Sequence, residues 1–238
     1  MLTVPNNHSL HLMGDYHQNL AQLTQNLKEL PANSSLIILG DYDAHQAQDL
    51  VDLSKIAEEY QVVMYLMRGN HDCPQYWQDR DLAVLLETEW FNLLEDVDMI
   101  EHQGKKLISV SGAVSVDRSC VRFDEGHCWT ELEGIAKDSV ERVRALGNAD
   151  ILLTHTGIID GYTVKNAFTE SYASTDENLL EDIAAERKLI QQLQIASGCT
   201  QHYFGHFHQS WEGLQFGVKV RCLNICQMTQ LPLIKGAL

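Results

Sequence analysis

Five apolar segments of the sequence each end in a group of Asp, His or Asn residues. Such side chains need hydrogen-bond or metal partners, because a polar group that is buried without one destabilises the fold. Carboxylate, imidazole and carboxamide groups are also suitable ligands for ions such as Mn, Fe or Zn. The groups are Asp15 with His17, Asp41 with Asp43, Asn70 with His71 and Asp72, His155, and His206 with His208.

These side chains are more numerous than one tetrahedral metal ion needs. Asp15 and His17 are separated by one residue, as are His206 and His208, so each pair can point to the same side of an extended segment. A carboxylate has two oxygens, and one Asp can therefore bridge two ions about 3.5–4 Å apart, the spacing used in hydrolytic two-metal sites. The residue types thus predict a pair of divalent ions.

The apolar segments before these groups have the lengths of buried β-strands, and helical patterns separate the first three. The predicted strands are 10–13, 35–39, 62–67, 149–154 and 201–204, and the predicted helices are 19–30 and 46–60. Continuous apolar strands that alternate with helices indicate parallel βαβ units covered on both faces. Sheets of this kind bind ligands beyond the carboxyl ends of their strands, so the five groups can meet on one rim.

The rest of the chain predicts further helices, a hairpin and one irregular loop. A Ser or Thr followed three residues later by Glu indicates a helix start at Thr130 and another at Ser174. Residues 158–175 have no clear period and predict an irregular loop that could line the site. The other predicted elements are a helix over 76–94, strands over 99–116 with a hairpin turn at Gln103–Gly104, helices that end near 146 and 196, and a closing strand over 217–221.

Composition is that of an ordinary globular protein and argues against several functional classes. The net charge of −16 repels polyanions and argues against a general nucleic-acid binder. No apolar run reaches the length of a membrane span, and no linker or repeat divides the chain, so we predict a single domain over residues 1–238. The first residues lack the features of a signal peptide, and the six cysteines include no C-x-x-C pair. We therefore expect free thiols and a cytoplasmic location, while the oligomeric state is left open.

In their order along the chain, the five groups resemble the motifs of the calcineurin-like metallophosphoesterase superfamily. The motifs are Asp15-x-His17, Gly40-Asp41, Gly69-Asn70-His71-Asp72, a lone His155 and Gly205-His206-x-His208. The resemblance spans nearly the whole chain. It implies an α/β fold of four layers, an α/β/β/α sandwich in which two mixed β-sheets are flanked by helices and the metal site lies at the carboxyl ends of the strands.

The resemblance also implies a role for each matching residue. Asp15, His17 and His208 would hold a first metal ion, Asp41 would bridge, and Asn70, His155 and His206 would hold the second. His71 matches the residue that protonates the leaving oxygen or stabilises charge there. Two divalent cations, with Mn favoured over Fe, Zn, Mg or Ni, would make a water molecule more acidic for in-line attack on phosphorus and would neutralise the phosphate oxygens.

One departure from the phosphoprotein phosphatase branch concerns the residues that support His71. In that branch the second motif continues with an Asp that orients the catalytic His and an Arg that grips phosphate. Ala44 and His45 occupy these two positions here, so neither role transfers. Asp43 or Asp72 could orient His71 instead.

Two other arginines could bind phosphate in place of the missing one. Arg118 and Arg122 carry guanidinium groups that match phosphate oxygens, although surface ion pairs explain them equally well. The expected function is metal-dependent hydrolysis of a phosphomonoester or phosphodiester substrate. A phosphoprotein phosphatase or nuclease of the same fold and a non-catalytic binding scaffold are the alternatives, and the retained histidines argue against the scaffold.

Overall fold

The computed structural model describes residues 1–119, 131–159 and 167–232. The strands in these ranges are β1 (Leu2–Thr3), β2 (Ser9–Met13), β3 (Ser34–Ile38), β4 (Val63–Leu66), β5 (Phe91–Leu93), β6 (Val97–His102), β7 (Lys105–Val110), β8 (Ile151–Thr154), β9 (Gln201–Phe204), β10 (Trp211–Gln215), β11 (Val218–Cys222) and β12 (Met228–Gln230). The helices are α1 (Leu20–Glu29), α2 (Ala47–Tyr60), α3 (Gln75–Gln78), α4 (Arg80–Leu86), α5 (Ser139–Leu146), α6 (Ala167–Ala173) and α7 (Leu179–Ser197). None of the helices within the described ranges is both long and apolar enough to cross a membrane.

The strands form two mixed sheets. The smaller has the order β12-β2-β3-β4-β5, in which β2 to β5 are parallel and β12 is antiparallel to β2. The larger has the order β1-β6-β7-β8-β9-β11-β10, with parallel pairing from β7 through β8 and β9 to β11. The five predicted strands and the first two helices are present, within two residues of their predicted ends. Parallel pairing brings the carboxyl ends of β2, β3 and β4 to one edge, and those of β8 and β9 likewise.

Apolar side chains fill three layers, which gives the four-layer arrangement. Between the sheets, Leu10 and Ile37 of the smaller sheet pack with Leu107 and Ile151 of the larger. The outer face of the smaller sheet is covered by α1 and α2, and that of the larger by α5 and α7. The predicted α/β/β/α sandwich of two mixed sheets is therefore confirmed.

The segment predicted as one helix over 76–94 instead contains two short helices and a strand. Asp79 follows α3 in an extended conformation, and its side chain accepts a hydrogen bond from Leu82 N, which caps α4. Phe91–Leu93 pairs in parallel with β4 and buries Phe91 completely. The prediction was wrong because the apolar content of two short helices and a buried strand resembles that of one helix.

Both helix starts predicted from local Ser/Thr and Glu spacing are also wrong. Glu133 lies in a 3-10 turn over Glu131–Glu133, and its carboxylate accepts a hydrogen bond from Ser115. The helix begins only at Ser139, and Thr130 lies outside the described residues. The Ser174 hydroxyl donates to Ser171 O, so it closes α6 instead of capping α7. The helix α6 occupies part of the segment that was predicted as an irregular loop.

Candidate metal centre

The structure brings every predicted site residue to one place, the rim where β2, β3, β4, β8 and β9 end. The residues that meet there are Asp15, His17, Asp41, Asn70, His71, His155, His206 and His208. Their side chains come from both sheets, so the site exists only when the two sheets are packed together. Two groups can be distinguished within it.

The first group, which we call the outer cluster, consists of Asp15, His17, Asp41 and His208. Each offers one donor atom, and these atoms all lie within 4.8 Å of one another. The His17 Nε2 atom is 2.9 Å from His208 Nε2 and 3.6 Å from Asp41 Oδ2. The His208 Nε2 atom is 3.4 Å from Asp15 Oδ2. Donors bound at about 2.1 Å to one ion lie about 3.0–3.4 Å apart in octahedral or tetrahedral geometry, which these separations approach.

The second group, the inner cluster, consists of Asp41, Asn70, His155 and His206. The Asn70 Oδ1 atom lies 3.0 Å from His155 Nε2 and 2.9 Å from His206 Nδ1. The Asp41 Oδ1 atom lies 3.2 Å from His155 Nε2. Asp41 therefore presents Oδ2 to the outer cluster and Oδ1 to the inner one, which is the arrangement that a bridging carboxylate requires.

Backbone groups hold the buried donors in these orientations. The His155 Nδ1–H donates to Leu39 O at 2.7 Å, which leaves Nε2 facing the cluster. The backbone N–H of His206 donates to Asp15 at 2.9 Å from both carboxylate oxygens. A Cβ atom at Gly205 would collide with Asp15 Oδ1, and one at Gly69 would collide with Asp41 Oδ1. The glycines of these motifs thus leave room for the carboxylates.

The chain turns sharply at the site. Several of its non-glycine residues have left-handed backbone angles, with φ between 44° and 67°, a region that such residues rarely adopt. These residues are His17, Asp41, Asp43, His206 and His208. Clustering of unfavourable backbone angles is typical of functional sites, where the surrounding structure enforces them.

The charges of the metal-free site indicate what kind of ligand it would accept. Burial raises the pKa of Asp15 to about 6. Burial alone would lower the pKa of His155, but the carboxylates of Asp41 and Asp15 raise it to about 9. Burial lowers the pKa of His206 to about 3. The buried carboxylates therefore need a positive partner, and a divalent cation would supply one among donors of suitable type, so the residues fit the metal ions that the sequence predicts.

His71 lies beside the outer cluster, with Asp43 as its partner. The His71 Nδ1 atom is 3.4 Å from Asp43 Oδ1, and the same oxygen is 3.2 Å from His17 Nδ1. The rings of His17 and His71 contact edge to face, with centroids 5.3 Å apart. Asp43 thus orients two imidazoles that flank one another.

Asp72, the other candidate partner of His71, has a different role. Its buried carboxylate accepts hydrogen bonds from the backbone N–H groups of Tyr42, Ala44 and Gly69, at 2.8, 3.3 and 2.8 Å. These contacts join the loop after β3 to the loop after β4. Of the two acids left open by the sequence, the contacts favour Asp43 as the partner of His71.

Arg118 is engaged by two carboxylates. Its Nε atom is 2.5 Å from Asp176 Oδ2, and its Nη2 atom is 2.7 Å from Asp182 Oδ2. Its side chain is almost buried, at 8% exposure. Of the two interpretations left open by the sequence, phosphate binding or ion pairing, these contacts favour ion pairing for Arg118. Arg122 lies outside the described residues.

A cavity of about 460 Å³ adjoins both clusters. One side is formed by site residues, including Asp41, Asn70 and His71. The remainder of its wall includes the apolar residues Val114, Val116, Ile183 and Phe207 and the polar residues Asp117, Thr156, Thr169, Tyr172, Glu186 and Arg187. A pocket of this volume and mixed lining is suited to a small molecule.

Sequence reasoning missed Glu186 in the wall of this cavity. Its carboxylate accepts hydrogen bonds from Val114 N at 2.6 Å and from the Thr156 hydroxyl at 3.4 Å. Burial raises its pKa to about 7. Glu186 lies within a helix that carries several other acids, and no sequence pattern distinguishes it from them.

The comparisons with known proteins agree with the geometry. A family model described as calcineurin-like phosphoesterase matches residues 9–210, so the chain belongs to this family. A phosphopantetheinyl hydrolase from Mycobacterium tuberculosis has a similar structure, with a TM-score of 0.55, 13% identity and coverage of 98% of this chain and 99% of that chain. The protein TT1561 of Thermus thermophilus has a TM-score of 0.56, 14% identity and coverage of 92% and 91%. At these identities the likeness to the two structures shows a shared fold. The search of curated proteins found no match to the chain.

Proposed function

We propose that the protein hydrolyses phosphoesters with the help of two divalent cations. Membership of the calcineurin-like phosphoesterase family supports hydrolysis of a phosphoester. The observation that carries the two-cation part is the position of Asp41, which directs one oxygen to the outer cluster and the other to the inner cluster. A single-ion site would not need a buried carboxylate shared in this way.

The proposed ligands follow the two clusters. Asp15, His17 and His208 would hold one cation, Asn70, His155 and His206 the other, and Asp41 both. When bound, the cations would lower the pKa of a water molecule and neutralise the oxygens of the phosphate. Mn is the metal we favour, because mixed carboxylate, imidazole and carboxamide donors without thiolate suit it.

We propose His71 as the group that protonates the leaving oxygen. It lines the cavity and is partly exposed, so a substrate can reach it. The carboxylate of Asp43 beside Nδ1 favours a proton on that nitrogen and leaves Nε2 to exchange a proton with the substrate.

The substrate that fits best is a small phosphomonoester or phosphodiester. The cavity beside the clusters has about the volume of a small-molecule site. The net charge of −16 argues against a nuclease, and the engaged guanidinium of Arg118 gives no support to a phosphoprotein phosphatase. Free thiols at Cys73, Cys199, Cys222 and Cys226 support the prediction of a cytoplasmic location.

The test is metal analysis combined with a simple assay. Protein stripped of metal and reloaded with Mn²⁺ should hold two ions per chain and hydrolyse p-nitrophenyl phosphate, bis-p-nitrophenyl phosphate or both. A preparation that holds two ions and leaves both esters intact would falsify the proposal. Salt-sensitive binding to oligonucleotides would instead favour the nuclease alternative.

A further inference from the structure

The carboxamide of Asn70 has a defined orientation at the inner cluster. Its Oδ1 atom faces the rings of His155 and His206, whereas its Nδ2 atom points away and donates to Ser115 Oγ at 2.9 Å. A carboxamide can bind a cation through its oxygen only, because its NH₂ group is a donor. Rotating this group by half a turn would present the NH₂ group to the cluster and abolish a ligand.

A chain of buried hydrogen bonds fixes this orientation. The Ser115 hydroxyl donates to Glu133 Oε2 at 3.2 Å, and a hydroxyl whose proton is used in this way can still accept from Asn70 Nδ2. Because an ionised carboxylate is an acceptor only, the direction of the chain runs from Asn70 through Ser115 to Glu133. All three residues are buried, so water does not compete strongly for these bonds.

The far end of this chain is held independently of the metal centre. The Glu133 carbonyl oxygen accepts from Arg68 Nη1 at 2.8 Å and from Ala113 N at 3.0 Å. Arg68 is fully buried and also bonds to Asp96 through Nε at 3.1 Å. The 3-10 turn that carries Glu133 is therefore anchored to the ends of β4 and β7 without any contribution from Asn70.

We propose that Ser115 and Glu133 are positioning residues that keep the Asn70 oxygen directed at the inner cluster and thereby set its affinity for a metal ion. This inference rests on the proposed function, since it requires the inner cluster to bind a metal. It assigns a role to a 3-10 turn whose sequence, Glu131-Leu132-Glu133, looks like a helix start. Removing partners that orient a metal ligand typically lowers metal affinity about 10–100-fold.

The chain offers a matched control for a change at Ser115. Ser109 is also completely buried, and its Oγ atom has no hydrogen-bond partner within the part of the chain that the structure describes. Ser109→Ala removes a buried hydroxyl without removing a contact to the site. Ser115→Ala removes a hydroxyl of the same kind together with the bond to Asn70.

The experiment measures Mn²⁺ binding to metal-free protein by titration calorimetry. His208→Ala damages the outer cluster and leaves the inner one intact, whereas His206→Ala does the reverse. In the His208→Ala background, Ser115→Ala should raise the dissociation constant about 10–100-fold. Glu133→Gln should raise it less, because an amide oxygen still accepts from Ser115, and Ser109→Ala should leave it unchanged.

In the His206→Ala background, Ser115→Ala should not change the remaining affinity. Equal weakening in both backgrounds would overturn the proposal in favour of a general structural role, and so would an unchanged affinity in the His208→Ala background. Glu133→Gln supplies the test if Ser115→Ala fails to fold. Failure of the proposed function is distinguishable, because protein that binds two ions without hydrolysing esters would leave these binding differences in place.

Discussion

The inner and outer clusters share Asp41 but differ in how they are built. His155 and Asn70 of the inner cluster are buried, and their orientation is fixed by Leu39 O and by Ser115. In the outer cluster, 47% of the His208 side chain is exposed, and His17 is oriented by Asp43, a side chain that is itself partly exposed. The buried donors of both clusters therefore belong to the core, whereas the two histidines of the outer cluster, His17 and His208, lie at the surface.

The difference has a consequence for metal exchange and for substrate access. Donors that are fixed before binding lose little freedom when an ion arrives, so we expect the inner cluster to retain its ion longer than the outer cluster. His71 and Asp43 lie on the outer side, where solvent and a substrate can enter.

The largest expected effect comes from removing the residue that the clusters share. Asp41→Asn eliminates one negative charge and one bridging oxygen, so both clusters should lose affinity and metal content should fall from two ions to less than one per chain. Hydrolysis should decrease by at least about 10³-fold. Plasma mass spectrometry and a diester assay measure the two quantities. Loss of a single ion with the other retained would contradict the bridging position.

Changes at the outer edge should separate chemistry from metal binding. His71→Ala should keep both ions and lower kcat by about 10²–10⁴-fold, the usual contribution of a general acid. Asp43→Asn should lower kcat by about 10–100-fold even with both ions bound, because it leaves His71 and the metal ligand His17 without their orienting carboxylate. Kinetics at fixed metal content provide the measurement. If Asp72→Asn lowered kcat at unchanged stability while Asp43→Asn did not, the assignment of the partner would be wrong.

A comparison of His155→Ala with His208→Ala tests whether the buried histidine of the inner cluster supports the fold more than the exposed histidine of the outer cluster. His155 is the positive partner of two buried carboxylates, so its removal should lower the free energy of unfolding of the metal-free protein by about 3–5 kcal/mol. His208→Ala removes an exposed ring and should cost less than about 1 kcal/mol. Urea denaturation with chelator present measures both. Similar losses for the two variants would show that the two histidines do not differ in this respect.

Much of the fold could be predicted because its signals are local. The strands that end at the site are continuous apolar runs, and the side chains that meet there follow each run directly, as at Asp41 and His155. Parallel pairing then brings strand ends together without further information. The order of the five polar groups along the chain gave the family resemblance, and that resemblance implied the four-layer fold and the role of each residue.

The parts that sequence did not reveal depend on contacts between distant segments. Glu133 matches a helix-capping pattern, yet its carboxylate bonds to Ser115, which no local pattern indicates. Asp43 and Asp72 could not be distinguished by spacing, because the left-handed backbone angle of Asp43, φ 55°, determines where its side chain points. Glu186 was missed because its burial depends on α7 packing over the end of β8.

The last prediction concerns His202, a buried histidine of β9 that lies between the larger sheet and α7. Its Nε2 atom is 2.7 Å from Thr154 Oγ1, and its Nδ1 atom is 3.1 Å from Gln194 Nε2. The Thr154 hydroxyl donates to Thr156 O, so it can only accept from His202 Nε2–H, and Nδ1 must accept from Gln194. The ring is therefore held neutral, and burial lowers the pKa of His202 to about 3.

This lowered pKa gives the stability a defined dependence on pH. Between about pH 6.5 and pH 3 the unfolded chain binds a proton at His202 and the folded protein does not, so stability decreases as the pH falls through this window, and above it the effect disappears. One such group contributes at most about 1.4 kcal/mol per pH unit, or about 2 kcal/mol between pH 6.5 and pH 5.

His202→Gln should be less stable at pH 7.5, because a buried contact is lost, but its stability should fall less steeply below pH 6.5. Urea denaturation of metal-free wild type and variant at a series of pH values measures the slopes. Equal slopes would mean that His202 takes up a proton in the folded protein as readily as in the unfolded chain.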